Sequence, residues 1–394
     1  MSKICILTSA HPPDDARVYH KEACSLRKKG YEVTLIAPLP ASAAAEPGES
    51  EPGEIITAEG VRLRYAPPYR NRSERWLHLS VIYRMALAEQ AAIYHLHDPD
   101  LLSTGLKLLR QTGRPVIYDV HEYYGDSLRT RYWAPAPLRA PLAVTFDWYE
   151  KQAAKRLSAC VTVNEHMAGL FHAVNPRGAV LYNYPAAAAF SFPAPAAAPP
   201  RLTAEDPLIL YLGGLNRERG LEVMLEAMPL VRERFPRAQC VLAGPLNEGS
   251  LNERYRPVAP WLARGGIRHL GRIPYAETPA LLRRANIALV PLLATLNYTK
   301  AIPVKLIEYM AAGLPVIGSD FGHIRRIINE NRCGLLTRPG DPADLAARIC
   351  ELISEPAAAA TAGQRGWEAF HARYCWEQEE IKLWRLYAEL IGEP

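Results

Sequence analysis

Twice along this chain, short apolar runs alternate with longer stretches of helical spacing, and a segment that suits neither divides the two series. Such alternation builds parallel sheets covered by helices on both faces. In the first series the apolar runs are Ile4–Thr8, Tyr31–Ala37, Val61–Tyr65, Ala92–Leu96, Val116–Asp119, Ala159–Val163 and Val180–Tyr182. Helices are expected at Ala16–Lys29, which stops at Gly30, and at Glu74–Gln90, Asp100–Gln111 and Leu138–Arg156. The Ala-rich stretch from Ala41 to Gly53 reads as a flexible loop. Pro185–Pro200 is almost wholly Ala and Pro, so it forms no regular helix or central strand and reads as a linker. The second series follows at Leu208–Leu212, Cys240–Ala243, Ile267–Leu270, Ile287–Val290, Val316–Ile317 and Gly334–Leu336. A helical tail from Ala358 to Ile391 carries Trp367, Phe370, Trp376 and Trp384 as apolar anchors. The domain reading is 1–184 for a first α/β unit, 185–206 for the linker, 207–374 for a second α/β unit and 375–394 for a C-terminal helix. At 394 residues, two cores are the expected number.

Composition narrows the function classes. No stretch approaches the ~20 apolar residues that span a bilayer. The first apolar run is too short for a signal-peptide core, so a cytoplasmic protein is expected. Seven cysteines with no C-x-x-C pair read as reduced, buried thiols. A net charge of +5 is mild, but basic residues gather beside aromatics at Tyr69–Trp76, with Arg84 beyond, and at Arg129, Arg131, Tyr132 and Trp133. That pairing is compatible with peripheral contact at an anionic membrane surface, the inner face for a cytoplasmic protein. No nucleic-acid-binding module accompanies it, and none is expected to bind.

Six motifs bear on chemistry. Pro303-Val-Lys305-Leu-Ile-Glu308-Tyr-Met-Ala-Ala-Gly313-Leu-Pro315 is a short helix that sets Lys305 and Glu308 on one side. Leu210-Tyr-Leu-Gly213-Gly214-Leu-Asn-Arg217-Glu-Arg219-Gly220 leads a strand into a glycine loop and a helix start, where free N–H groups beside cations suit a diphosphate. Ala243-Gly244-Pro245 ends the next strand. Tyr118-Asp119-Val-His121-Glu122 ends an apolar strand, the place where ligand-binding loops emerge in parallel sheets. In the loop after the first strand, Asp15 and Arg17 read equally as ligand contacts and as the ordinary start of a helix. His97-Asp98-Pro-Asp100 contains D-x-D, yet Asp100 reads as a helix cap rather than a metal ligand. No His, Cys or carboxylate cluster shows metal-ligand spacing, so no metal is expected.

Taken together, these stretches resemble the retaining GT-B glycosyltransferases of family 4. The resemblance covers nearly the whole chain and includes Ser319-Asp-Phe-Gly322 and Cys333-Gly-Leu-Leu. It implies two Rossmann-like α/β/α domains facing a central cleft, with a C-terminal helix crossing back to the first domain. It implies transfer of a sugar from a nucleotide-sugar donor, UDP the first expectation and GDP the second, to a glycan, lipid-linked or small-molecule acceptor, without cofactor or metal. A sugar-nucleotide 2-epimerase of the same fold and a catalytically silent scaffold are the alternatives. By the resemblance, Glu308 accepts from the ribose hydroxyls, and Gly213, Gly214, Arg219 and Lys305 take the diphosphate with Arg217 as a deputy. Gly244, Lys300 and Leu306 complete the donor set. His121 serves the donor sugar, with Asp15 and Arg17 beside it. One departure stands out. Family members often carry a second glutamate eight residues before the first, and here that position is Lys300, which points to an acidic sugar such as a uronate.

Overall fold

The computed structural model describes residues 1–39, 54–69, 71–130, 135–190, 206–274 and 277–392. The chain divides into two compact units, Met1–Asn183 with Glu379–Pro394, and Tyr184–Gln378.

The first unit is built on strands β1 (Lys3–Leu7), β2 (Glu32–Pro38), β3 (Glu54–Ile56), β4 (Arg62–Ala66), β5 (Ile93–Leu96), β6 (Val116–Val120), β7 (Ala159–Thr162) and β8 (Gly178–Val180), in the sheet order β3-β4-β2-β1-β5-β6-β7-β8. All pairings are parallel except β3 with β4. The chain runs outward from β1 in one direction through β2 and β4, and in the other from β5 through β8. The strand order therefore reverses between β1 and β5, and the crevice at the carboxyl ends of such strands is where ligands bind. The central strands are near-continuous buried runs, as parallel strands covered on both faces must be.

The second unit holds β9 (Leu208–Leu212), β10 (Gln239–Ala243), β11 (Ile267–His269), β12 (Ile287–Val290), β13 (Val316–Ser319) and β14 (Gly334–Thr337), in the order β11-β10-β9-β12-β13-β14, all parallel. Here the order reverses between β9 and β12. A buried cluster of this unit interleaves Ile209 and Tyr211 with Met224 and Met228 of the helix Leu221–Arg234 and Ile349 of the helix Pro342–Ser354.

Every expected strand is present within a residue or two. The edge strand β3 was not foreseen, because its three exposed residues carry no hydrophobic alternation. Residues 40–53, most of the expected loop, lie outside the described residues. The first expected helix starts as a π-turn, Val18–Ala23, before Cys24–Lys29, and ends at Gly30 with φ 105°. Asp100 corrects the sequence reading. It sits inside the turn Pro99–Leu101 and caps nothing; its carboxylate accepts from Arg75 (2.6 and 2.8 Å) and from Ser9 Oγ (2.8 Å).

Of the Ala/Pro segment, residues 185–190 pack within the second unit. The turn Ala187–Phe190 buries Phe190, and the Ala187 N–H donates to the Glu377 carboxylate. Residues 191–205 lie outside the described residues. The last helix, Trp376–Ile391, joins the first unit from Glu379 onward: Ser25 Oγ and Lys28 Nζ bond Glu380, and Trp384 Nε1 donates to the Ser25 carbonyl. All seven cysteines are free thiols. Among the described residues, no helix is long and apolar enough to cross a membrane.

Candidate active site

In the second unit Gly213, Gly214, Gly244, Arg219 and Lys305, five of the predicted donor residues, meet at the end of β9. The Leu212 N–H donates to the hydroxyl of Tyr309 (2.7 Å), a fully buried side chain on the helix Val304–Ala311. This bond ties the helix bearing Lys305 and Glu308 to the strand that delivers Gly213. The turns leave no room for side chains. A Cβ at Gly244, whose φ is 148°, would stand 2.1 Å from the Gly213 carbonyl, and one at Gly220 would stand 2.0 Å from the Pro291 carbonyl. Backbone packs directly on backbone at these two glycines.

Two cations flank this turn. A Cβ at Gly213 would lie 3.1 Å from Lys305 Nζ and 3.5 Å from Arg219 Nη1. Arg219 is steadied by Tyr298, its Nε donating to the phenol oxygen at 3.0 Å, and its own N–H donates to Asn216 Oδ1. The Lys305 amine sits over the Tyr211 ring at 3.7 Å, is buried, and has no hydrogen-bond partner among the described residues. Burial, with the Arg219 charge adding to it and Glu308 opposing, lowers the Lys305 amine well below its ordinary range. A buried, unpaired ammonium is costly, and an anion would relieve that cost. Glu308 is half-buried three residues further along the same helix. Leu306 is fully buried and packs in the core. Arg217 is about half exposed and faces Glu222 (3.6 Å) instead of the turn. Lys300 ends the helix Leu296–Lys300, half-buried. Tyr298 and Tyr309 escaped the sequence reading because a tyrosine carries no charge and each lies far along the chain from the glycines it supports.

In the first unit, the loop after β1 and the ends of β5 and β6 enclose one wall of a cavity of about 1020 Å³. That wall is charged and internally paired. Asp98 accepts from Thr8 Oγ1 (2.7 Å) and from the N–H groups of Ser9 and Ala10. Burial alone would lower the His11 imidazole, yet the bond to Asp98 raises it. Asp15 Oδ1 accepts from the N–H groups of Arg17 and Val18, so it organises the start of the helix. Arg17 is buried: its guanidinium donates to Asp119 (2.8 and 3.1 Å) and to the Leu181 carbonyl (3.0 Å). His121 reaches the cavity from the end of β6, and its Nε2 lies 2.9 Å from His97 Nδ1. Burial, partly offset by Asp119, holds the His121 imidazole down at about 4, so it is neutral at pH 7. Trp76, Leu142, Phe146 and Tyr149 add apolar surface to the lining.

Behind His121 lies a group the sequence reading missed. Glu22, His95, His97 and Asp119, all fully buried, place one ligand-type atom each within 4.8 Å of one another. They arise from three separate elements, so no local spacing announces them. The one available signal was His95-x-His97, which strand alternation puts on one face of β5. Arg17 already stands 2.8 Å from Asp119 and 2.9 Å from Glu22, where a metal ion would otherwise supply the positive charge.

Two parallel α/β units, one with a cationic glycine turn at its switch point, define the class of GT-B glycosyltransferases, and comparison with known proteins agrees. The chain belongs to the group 1 glycosyltransferases: residues 206–355 match "Glycosyl transferases group 1" and residues 16–185 match "Glycosyl transferase 4-like domain". It is 26% identical over 375 residues to a phosphatidyl-myo-inositol mannosyltransferase of Mycobacterium leprae, covering 92% of this chain and 89% of that one. It is 23% identical over 293 residues to a glycogen synthase of Mycobacterium tuberculosis, covering 72% and 66%. Among solved structures, sucrose-phosphate synthase from Thermosynechococcus elongatus superposes with a TM-score of 0.71 at 20% identity, over 100% of both chains. Anabaena HepE in complex with UDP does so with 0.71 at 13% identity, over 99% of this chain and 100% of that one. The protein is therefore a glycosyltransferase of GT-B type.

Proposed function

We propose that the protein transfers a sugar from a nucleotide-sugar donor, with retention of configuration, to a lipid-linked acceptor. The observation that carries the donor half is the Lys305 amine, buried against Tyr211 beside Gly213 and without a hydrogen-bond partner. A diphosphate supplies the missing partner, and Arg219 adds a second charge on the leaving group. Glu308 accepts the two ribose hydroxyls, for which a carboxylate has enough lone pairs. In the same-face substitution the bond from the anomeric carbon to the diphosphate breaks with its electron pair going to phosphate. The acceptor hydroxyl bonds the same carbon, and its proton passes to the departing oxygen. No protein nucleophile is required; cations and a neutral His121 stabilise the charge that develops. UDP is the preferred base, GDP the second, and no metal or cofactor takes part. Lys300 in place of a family glutamate favours an acidic donor sugar.

The acceptor half rests on the cavity, lined by both charged and apolar side chains, a match to a molecule with a polar head and a hydrocarbon tail. The helix Ala136–Arg156 continues the apolar lining to the surface, with Leu138, Val144 and Trp148 all more than half exposed, as is Trp76. The M. leprae relative's name carries a lipid acceptor of this kind. Peripheral contact with an anionic membrane is part of the same reading and rests on these exposed apolar residues; of the first basic-aromatic spot, Arg70 lies outside the described residues and Arg75 is bonded to Asp100. Of the second basic-aromatic spot, residues 131–133 lie outside the described residues.

Thermal-shift screening against UDP-, GDP- and ADP-sugars tests the donor, because a ligand that binds only the folded state raises the melting temperature by mass action. Nucleotide release that depends on added lipid acceptor supports the transferase. Release of a free modified sugar without acceptor marks the epimerase, and absence of any nucleotide binding marks the silent scaffold. Turnover with neutral hexose donors alone rules out the acidic sugar.

A further inference from the structure

Several polar side chains that line the cavity of the first unit spend their hydrogen bonds on the protein. Asp100 receives Arg75 and Ser9, Arg17 donates to Asp119 and the Leu181 carbonyl, and Asp15 Oδ1 accepts two backbone N–H groups. His11 is held at Nδ1, which lies 3.3 Å from Thr8 Oγ1 and 3.4 Å from Asp98 Oδ1. Its side chain stays a quarter exposed and lines the cavity. The His11 N–H also donates to Thr8 Oγ1 (2.8 Å), which pins the residue as well as the ring.

These partners fix where the ring carries its hydrogen. The Thr8 hydroxyl has a single hydrogen, and it goes to Asp98 Oδ2 at 2.7 Å. Asp98, 2% exposed, also takes the N–H groups of Ser9 and Ala10 on that oxygen, as an ionised carboxylate does. Toward His11, then, both oxygens can only accept, and Nδ1 bears a hydrogen in either charge state of the ring. Nε2 is the ring nitrogen left for a ligand, and in the neutral ring it carries a lone pair.

We propose that His11 is an acceptor-binding residue whose Nε2 takes a hydrogen bond from a hydroxyl of the acceptor, with Thr8 and Asp98 as the positioning residues that set its polarity. The His121 ring stands 5.1 Å away, centroid to centroid, so the two imidazoles meet neighbouring groups of one ligand. In the same-face transfer proposed above, the attacking hydroxyl gives its own hydrogen to the departing oxygen. The hydroxyl bound to His11 is therefore a second one, and the acceptor head is a sugar or polyol with at least two hydroxyls. That count rests on the proposed transfer; the polarity of His11 does not. The titratable and charged groups around the ring are Asp98, Asp15, Asp119, His121 and, 3.7 Å from Asp98, Arg75. Against burial, Asp98 raises the imidazole, so the accepting form gains as pH rises.

The test is ¹⁵N NMR of the full-length protein labelled at histidine. Without donor, it is titrated with octyl glucoside below its micelle concentration, and with the per-O-methylated glucoside as control. At alkaline pH, His11 is expected as the Nδ1–H tautomer. Octyl glucoside is expected to shift its Nε2 resonance and to bind more tightly as pH rises. The methylated compound, which has no hydroxyl to give, is expected to leave that resonance in place. Read from the His121 resonance, His11→Asn is expected to weaken octyl glucoside binding about fivefold. His11→Gln, whose amide oxygen reaches the Nε2 position, is expected to restore most of that loss. An Nε2–H tautomer, equal shifts by the two glucosides, no shift by either, or binding that strengthens as pH falls overturns the proposal. The wild-type spectra decide even if a variant does not fold. Because no donor is present, a failure to transfer sugar would count against the transferase reading alone. Transfer to 1-octanol as fast as to octyl glucoside would overturn the need for a second hydroxyl.

Discussion

The two units place charged residues at equivalent points, the carboxyl ends of parallel strands beside a switch in strand order, and treat them oppositely. In the first unit the charges answer one another: Arg17 with Asp119 and Glu22, Arg75 with Asp100, His11 with Asp98. In the second, Lys305 and Arg219 gather at a glycine turn, and the Lys305 amine has no hydrogen-bond partner among the described residues. A site that balances its own charge suits a neutral, hydroxyl-bearing ligand. A site that holds a cation beside a buried amine with no partner suits an anion. The contrast supports the proposal that the nucleotide binds the second unit.

The same substitution on each side should give opposite signs. Arg17→Met strands the Asp119 charge in the core and should cost about 3–5 kcal/mol of stability, enough to unfold a marginal domain. Lys305→Met removes an unpaired buried amine, so the melting temperature should rise while nucleotide affinity falls about 100-fold, the loss expected for a charge-assisted pair. If both variants were destabilised alike, the contrast between the units would break.

A smaller effect sharpens the first-unit side. Glu150, buried and accepting from Tyr118 (2.5 Å), is pushed up by burial to about 7 from an ordinary 4.5. Its acid form is favoured by folding, so its contribution is fully present below pH 4.5 and is lost as pH rises through 7. Glu150→Gln should therefore leave stability unchanged near pH 4 and raise it at pH 8 by up to about 3 kcal/mol, read from denaturant unfolding at the two pH values. The smallest effect belongs to Arg217→Ala. An exposed arginine facing Glu222 contributes below about 1 kcal/mol, so calorimetry should find nucleotide affinity within a few-fold of wild type.

Much of this was legible in the sequence because it is local. Strand periodicity, Gly30 and Gly220 as helix boundaries, and the short helix carrying Lys305 and Glu308 are all read within a dozen residues. What escaped is assembled from distant segments. Tyr309 holds the end of β9 from 97 positions away. Glu22, His95, His97 and Asp119 converge only when three elements pack. Asp100 looked like a cap because it precedes a helix, and Arg75, 25 residues earlier, claims its carboxylate instead. Arg17 was legible as a residue of interest; that it serves Asp119 inside the fold was not.

The central claim is that the Lys305 amine waits for a diphosphate. Desolvation holds that amine well below its ordinary range in the free protein, and an anion beside it must raise it again, so binding takes up a proton. Calorimetric titration of UDP or GDP in two buffers of different ionisation enthalpy counts that proton directly. The expected result is net proton uptake on nucleotide binding at mildly alkaline pH, abolished in Lys305→Met. Binding of undiminished strength with no proton uptake, in both wild type and Lys305→Met, would contradict it.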